Sequence, residues 1–284
     1  MKNVVVTGVS TGIGRGAALV LARKGWHVFG SVRKPADAET LKRVLGSAFT
    51  PLVFVVEVDD AVLAAAAEVR ARLDGHTLEG LVNNAGASFP GPLLVQSVET
   101  FRKQIEINLV GMFAVTRAFA PLLGADPVLT GPRGRIVNIS SVGGRIGPPF
   151  LGAYSASKHA VEGYSESLRR ELQLVGIDVI IVGPGAVATA IWDKAEAYPM
   201  DDVVGTIWEG PSKAFADYMI EGGRQGLSIE ALGEVIATAL TVPRPKTRYS
   251  VMKGRFLGET LPSLLPRRTV DRLLGGRIGL LPKR

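Results

Sequence analysis

The chain has no cysteine and only three histidines in 284 residues. Disulfides and thiolate metal sites are therefore excluded, and the absence of thiols is compatible with a reducing compartment. His27, His76 and His159 are scattered without ligand spacing, so no metal is expected in the chemistry. No uninterrupted apolar run approaches the ~20 residues that a membrane span needs. The opening residues Met1-Lys2-Asn3-Val4-Val5-Val6 run straight into a strand and leave no room for a signal peptide, so the expectation is a soluble, cytoplasmic protein. Acids are scarce in one place: from Arg244 to Arg284 only Glu259 and Asp271 oppose eleven Lys or Arg. That excess of nine exceeds the net charge of the whole chain, +7, so the remainder is close to neutral and the positive charge belongs to a tail. Aromatics are rarely interleaved with these charges, which makes a poor nucleic-acid footprint, and no nucleic-acid partner is expected.

What is present is apolar and small. Hydrophobic residues make up 46%, enough for a sizeable core, and alanine, glycine and valine dominate, as suits helices packed closely on a parallel sheet. Apolar runs at residues 4–6, 27–32, 52–56, 81–82, 135–139 and 179–182 read as strands. Between them, residues 14–24, 41–45, 61–73, 101–123 and 154–175 read as helices, the long one stopped near Gly124 and Pro127. Strands alternating with helices imply right-handed crossovers and an α/β fold in three layers, a doubly wound parallel sheet with helices on both faces. A single domain over residues 1–284 is expected, with no internal repeat. Residues 190–227 lose the pattern, with Trp192, Tyr198, Met200, Ile207, Trp208 and Tyr218 among helix formers, and look like an insert that covers a substrate. Residues 244–284 form a basic extension with an edge strand at Arg248–Val251.

Two motifs carry chemistry. Thr7-Gly8-Val9-Ser10-Thr11-Gly12-Ile13-Gly14 follows the first strand and opens the first helix. Glycines let the backbone turn tightly and approach a pyrophosphate, whose charge the helix N-terminus favours. The plainer reading is a mere strand-to-helix turn, but its position at the first βα junction favours a nucleotide. The second motif is Tyr154 with Lys158, four residues apart and hence on one face of a helix. A free phenol titrates near pH ~10, and a cation held beside it moves it towards the working range, which makes an acid/base device.

Together with Asn83-Asn84-Ala85-Gly86, Asn108, Ser141 and Pro184-Gly185-Ala186-Val187-Ala188-Thr189, these motifs resemble those of the short-chain dehydrogenase/reductase family over about two-thirds of the chain, and its hydroxysteroid and retinol dehydrogenase-like members in particular. The resemblance implies a Rossmann-like sheet of about seven strands and a nicotinamide cofactor. It makes Tyr154 the proton carrier and Lys158 the group that lowers its pKa and holds the nicotinamide ribose. Ser141 would bond the substrate oxygen, and Asn108 would keep a local helix distortion and a water linked to the lysine. The same resemblance sets Gly8, Ser10, Thr11, Gly12, Ile13 and Gly14 on the cofactor, with Asn83, Ala85 and Gly86 at its ribose, and Pro184, Gly185, Val187 and Thr189 near the nicotinamide. Glu57-Val58 stands where the family has Asp near the adenine, a departure that puts that contact in doubt.

The form of the cofactor has a physical argument. Enzymes for the unphosphorylated form place an acid after the second strand. Here Val32 is followed by Arg33, which can pair with a 2′-phosphate, so NADP(H) is favoured over NAD(H). The large apolar residues of the insert and of residues 89–95 suggest a hydrophobic alcohol or ketone as substrate, steroid- or retinoid-like. Two other readings stay open: a 3-oxoacyl-carrier-protein reductase-like enzyme docking an acidic carrier, and a non-catalytic nucleotide sensor on the same scaffold. A homodimer or homotetramer is expected, and the Leu- and Arg-rich tail suggests weak peripheral contact with anionic membrane.

Overall fold

The computed structural model describes residues 1–189, 191–196, 201–255 and 260–282. Its sheet has seven strands, all parallel, in the order β3-β2-β1-β4-β5-β6-β7. These are β1 (Lys2–Val6), β2 (Trp26–Val32), β3 (Phe49–Val53), β4 (Gly80–Asn83), β5 (Arg135–Ile139), β6 (Asp178–Pro184) and β7 (Arg248–Val251). The order reverses between β1 and β4, and a crevice opens there at the carboxyl ends of the strands, the place where open α/β sheets bind ligands. Side chains alternate across the sheet: Val4 and Val6 join one core, Val5 the other.

Helices α1 (Gly12–Arg23), α2 (Pro35–Leu45) and α9 (Ile229–Thr241) cover the first face. On the second lie α3 (Asp59–Leu73), α4 (Val98–Ile105), α5 (Gly111–Phe119) and α6 (Gly152–Glu171). The α1–α9 crossing is tight for a stated reason: a Cβ on Gly16 would sit 2.2 Å from the Ile229 carbonyl oxygen, and one on Gly233 would sit 2.6 Å from that of Gly16. Between α4 and α5 a π-helical turn, Glu106–Val110, breaks the regular ladder. As one run, Val98–Leu123 is long and apolar enough to cross a membrane. Its apolar face here serves the core, since Met112, Val115 and Phe119 are buried.

Several elements differ in extent from the sequence expectation. β3 begins at Phe49, three residues early, because its register on β2 pairs Val28 with Phe49 and Gly30 with Pro51; an edge strand tolerates that proline. α2 is longer than expected because Pro35 occupies its first position, where a missing N–H costs nothing. The insert contains α7 (Ile191–Glu196) and α8 (Glu209–Arg224), while Tyr198 and Met200 lie outside the described residues. The tail, beyond β7, folds back as α10 (Leu261–Leu264) and α11 (Arg267–Ile278). Ile278 is buried with Phe150 and Phe215, and the Arg277 guanidinium lies 4.5 Å over the Tyr218 ring.

Candidate active site

The glycine turn is locked from below by the strand on the other side of the crevice. Gly8 and Gly12 adopt φ of 70° and 61°, the left-handed region that suits glycine. The Thr7 hydroxyl accepts from the N–H groups of Asn84 and Ala85, each at 2.9 Å. The Asn84 amide donates to the carbonyls of Thr7 at 2.8 Å and Gly8 at 3.1 Å. From β2, the Ser31 hydroxyl accepts from the Gly8 N–H at 2.9 Å. Gly14 closes the turn, since a Cβ there would lie 2.3 Å from the Gly8 carbonyl oxygen.

Above the turn there is room. Thr11 caps α1 without a side-chain hydrogen bond, and no acid occupies the first turn, so the positive end of the helix faces the crevice unopposed. A Cβ on Gly12 would meet only the Thr189 methyl, at 3.7 Å. This cradle fits a pyrophosphate, with Ser10, Thr11 and Ile13 at its rim. Arg33 follows β2, and Glu57 and Val58 precede α3; all three are exposed at the carboxyl edge of the sheet. The loop after β6 is braced by the insert: the Ala188 N–H donates to Leu227 at 2.8 Å, and the Trp192 indole N–H to the Val187 carbonyl at 2.7 Å. Pro184 ends β6, and the Gly185 N–H donates to the Val251 carbonyl at 3.0 Å.

Asn83 is the last residue of β4. Its side chain is buried beneath the crevice, donating to the Thr116 hydroxyl and to the Asn138 carbonyl oxygen, both at 2.9 Å. The strand alternation turns Asn83 towards α5 and Asn84 towards the glycine turn. Through these bonds the side chain ties β4 to β5 and α5.

The proton-handling groups converge. Tyr154 and Lys158 share the inward face of α6, with the Lys158 ammonium 5.8 Å from the centre of the tyrosine ring. Lys158 is buried and donates to the Ile139 carbonyl at 2.8 Å. The Ser141 hydroxyl accepts from the Gly143 N–H at 3.0 Å, and Tyr154 lies beside it: a Cβ on Gly143 would meet the tyrosine ring at 3.3 Å and the Ser141 hydroxyl at 3.4 Å. Asn108, fully buried, sits in the π-helical turn. Its amide donates to the Ala87 carbonyl and the Ser157 hydroxyl, both at 3.0 Å, and its oxygen accepts from the Ala87 N–H at 2.8 Å. The widened turn is what lets an inward amide reach both the Gly86–Ala87 loop and α6.

The electrostatics differ from the expectation. Burial pushes the Lys158 ammonium down to about 8, partly opposed by the Glu162 carboxylate. Burial pushes the Tyr154 phenol up, and the Ser141 hydroxyl pulls against it. The lysine was expected to draw the phenol's pKa down, but desolvation outweighs every favourable contact at Tyr154.

Several residues here were given no role by the sequence. Thr7, Ser31 and Asn84 build the underside of the glycine turn. Gln104, fully buried, accepts from the Phe89 N–H at 2.9 Å and donates to the Ala87 carbonyl at 2.7 Å. The signal for Gln104 was its spacing of four from Asn108, which places both amides on one helix face.

A glycine turn with room for a pyrophosphate, together with buried Lys158 and Asn108 beside Tyr154, fits an oxidoreductase with a nicotinamide cofactor. A family model described as short chain dehydrogenase matches residues 2–199. The chain is 36% identical over 276 residues to an NADPH-dependent 3-dehydrocapnine reductase from Ornithobacterium rhinotracheale, covering 96% of each. It is 32% identical over 287 aligned positions to retinol dehydrogenase 16 from Mus musculus, covering 96% of this chain and 87% of that one. Among solved structures, a short-chain dehydrogenase from Streptomyces avermitilis superposes with a TM-score of 0.75 at 26% identity, over 98% of this chain and 97% of the other. The chain belongs to the short-chain dehydrogenase family.

Proposed function

We propose that the protein is an NADP(H)-dependent oxidoreductase that interconverts a hydrophobic alcohol and its ketone, with Tyr154 as general acid/base. The observation that carries this reading is the meeting of Tyr154 and Ser141 around Gly143, with Lys158 5.8 Å from the tyrosine ring centre and Asn108 tied to the same helix through Ser157. When bound, the nicotinamide supplies or accepts the hydride. In reduction Tyr154 gives its proton to the carbonyl oxygen of the substrate, and Ser141 donates a hydrogen bond to that oxygen as charge develops. Lys158 places a positive charge next to the phenolate left behind.

Three further features support the finer points. Arg33 is exposed where a 2′-phosphate would lie, makes no ion pair among the described residues, and has no acid before it on β2. One relative is named as NADPH-dependent. The cover over the site is apolar: the Phe150 and Phe215 rings meet at a tilt with centres 5.6 Å apart, and Leu93 packs where a Gly152 Cβ would be. The likeness to a protein named for retinol favours an alcohol of that kind. We place the protein in the cytoplasm as one domain, with the insert over residues 190–227 as the substrate cover and the tail, residues 244–284, completing it. Arg268, Arg272 and Leu273 remain exposed on α11 and leave weak contact with anionic vesicles open to the tail. Co-sedimentation unaffected by truncation after Thr260 would remove that contact.

The test is NADPH and NADH oxidation with a panel of steroids, retinoids, aliphatic ketones and 3-oxoacyl thioesters. Turnover of a hydrophobic ketone with NADPH, lost at least roughly a hundredfold in Tyr154→Phe, is expected. Arg33→Ala should erase the preference for NADPH. Saturable activity on acyl thioesters alone would support the carrier-protein reading, and nucleotide binding without turnover the sensor.

A further inference from the structure

Behind the proton-handling groups lies an ion pair that links three separate elements. Glu162 is one helical turn beyond Lys158 on α6 and shares its face. Both of its oxygens accept from Nε of Arg248, at 3.1 and 2.9 Å, and the two side chains are only 13% and 9% exposed. Arg248 belongs to the edge strand β7, which is 86 residues away in sequence. The same guanidinium donates to the backbone carbonyl of Ser141 at 3.3 Å and contacts the Ser250 hydroxyl. One arginine thus joins the edge strand, the helix of Tyr154 and Lys158, and the turn that presents Ser141. That turn lies flat on the helix: a Cβ on Gly144 would meet the Lys158 carbonyl oxygen at 3.0 Å and Glu162 Cγ at 3.1 Å.

We propose that Glu162 and Arg248 are positioning residues, an ion pair that holds Ser141 against the catalytic helix and sets the electrostatic field at Lys158. The proposal rests on the acid/base reading of Tyr154 and Lys158. A buried ion pair is a poor source of net stability, because desolvation offsets the attraction between the charges. Its place directly behind the tyrosine and lysine points to geometry and charge as its use. The groups that surround Lys158 are few. Its own helix supplies Tyr154 and Glu162, while His159 turns outward to the Ser155 carbonyl. β7 supplies Arg248, and the turn after β5 supplies Arg145, half-exposed and 3.9 Å from Glu162. The π-helical turn offers the neutral Asn108, and β5 the Ile139 carbonyl. Glu162 is therefore the anion that steadies the buried ammonium.

The plainer account makes the pair only a staple for the edge strand, and Glu162→Gln separates the two. Gln keeps the shape and an acceptor for Arg248 but removes the negative charge. Losing an anion favours the deprotonated forms of both Lys158 and Tyr154, so both should titrate at lower pH. In the full-length protein with isotope-labelled lysines, the Lys158 resonance is assigned by its loss in Lys158→Arg. Its NMR midpoint should fall in Glu162→Gln by roughly half a unit or more. The kcat–pH profile for a ketone of the panel should shift in the same direction. In Arg248→Met, kcat should fall roughly ten- to a hundredfold with little change in KM for NADPH. Arg248→Lys, which restores the charge, should recover part of that loss. If Glu162→Gln does not fold, Arg248→Met carries the titration with the opposite sign, a midpoint moved to higher pH. An unchanged midpoint and profile in a folded but less stable variant would reduce the pair to a staple. Were the wild type to reduce no ketone, the acid/base reading would fall, and the lysine titration would still decide what Glu162 does.

Discussion

Single atoms decide whether the crevice can work. At Gly14 the space for a Cβ is taken by the Gly8 carbonyl at 2.3 Å and by the Asn84 amide at 2.4 Å. The first of these is backbone and cannot swing aside. Gly14→Ala should therefore cost roughly 1–3 kcal/mol and weaken NADPH binding, as checked by denaturant unfolding and fluorescence titration. Lys158 makes a second case. Its pKa in the folded protein is about 8 against 10.5 when unfolded, so below pH 8 the chain bears the full burden of a buried ammonium. As pH rises through 8 towards 10 the folded state releases that proton first, and the burden lifts. Lys158→Met should thus be more stable than the wild type near pH 7. The Tm difference should shrink as pH climbs above 8, while activity is lost throughout. A difference independent of pH would show that folding does not shift the Lys158 pKa.

Among elements, the contact between α1 and α9 is the one with least slack. Gly16 meets the Ile229 carbonyl where a Cβ would need 2.2 Å, and α1 carries the cofactor turn at its other end. Gly16→Val should push α9 outward at a cost of roughly 1–3 kcal/mol, seen as a lower denaturation midpoint, and loosen NADPH binding from a distance. The π-helical turn belongs to this scale too. A regular α-helix from Val98 would carry Asn108 to a different angle, so the amide's three contacts depend on the distortion as much as on the residue.

At the scale of the molecule, the outer surface of α4 and α5 leaves Phe101, Val110 and Phe113 exposed, with Phe113 edge-on to Tyr164 of α6 at 6.4 Å. A patch of this kind is where the expected homo-oligomer would associate. Phe113→Glu should shift the protein towards monomer in sedimentation velocity and leave NADPH binding near that of the wild type. The basic tail is also a whole-molecule matter: Ile278 of α11 buries itself with Phe150 and Phe215, so the tail packs onto the body of the protein.

Local patterns alone determined much of this protein. The Tyr154–Lys158 pair, the glycine turn and the strand at Arg248–Val251 were legible because helical spacing, a βα junction and the alternation of Tyr249 and Val251 with polar residues depend on neighbours in sequence. Tertiary structure decided the rest. Which way Asn83 and Asn84 point depends on which face of the sheet each helix covers, and that parity has no local mark. Thr7 and Ser31 gained their roles only when β1 met β4 and β2. Glu162 and Arg248, 86 residues apart, became one unit only when the last strand closed the sheet's edge. The direction of the Tyr154 shift followed from burial, a property of the packed interior that no spacing of residues along the chain encodes.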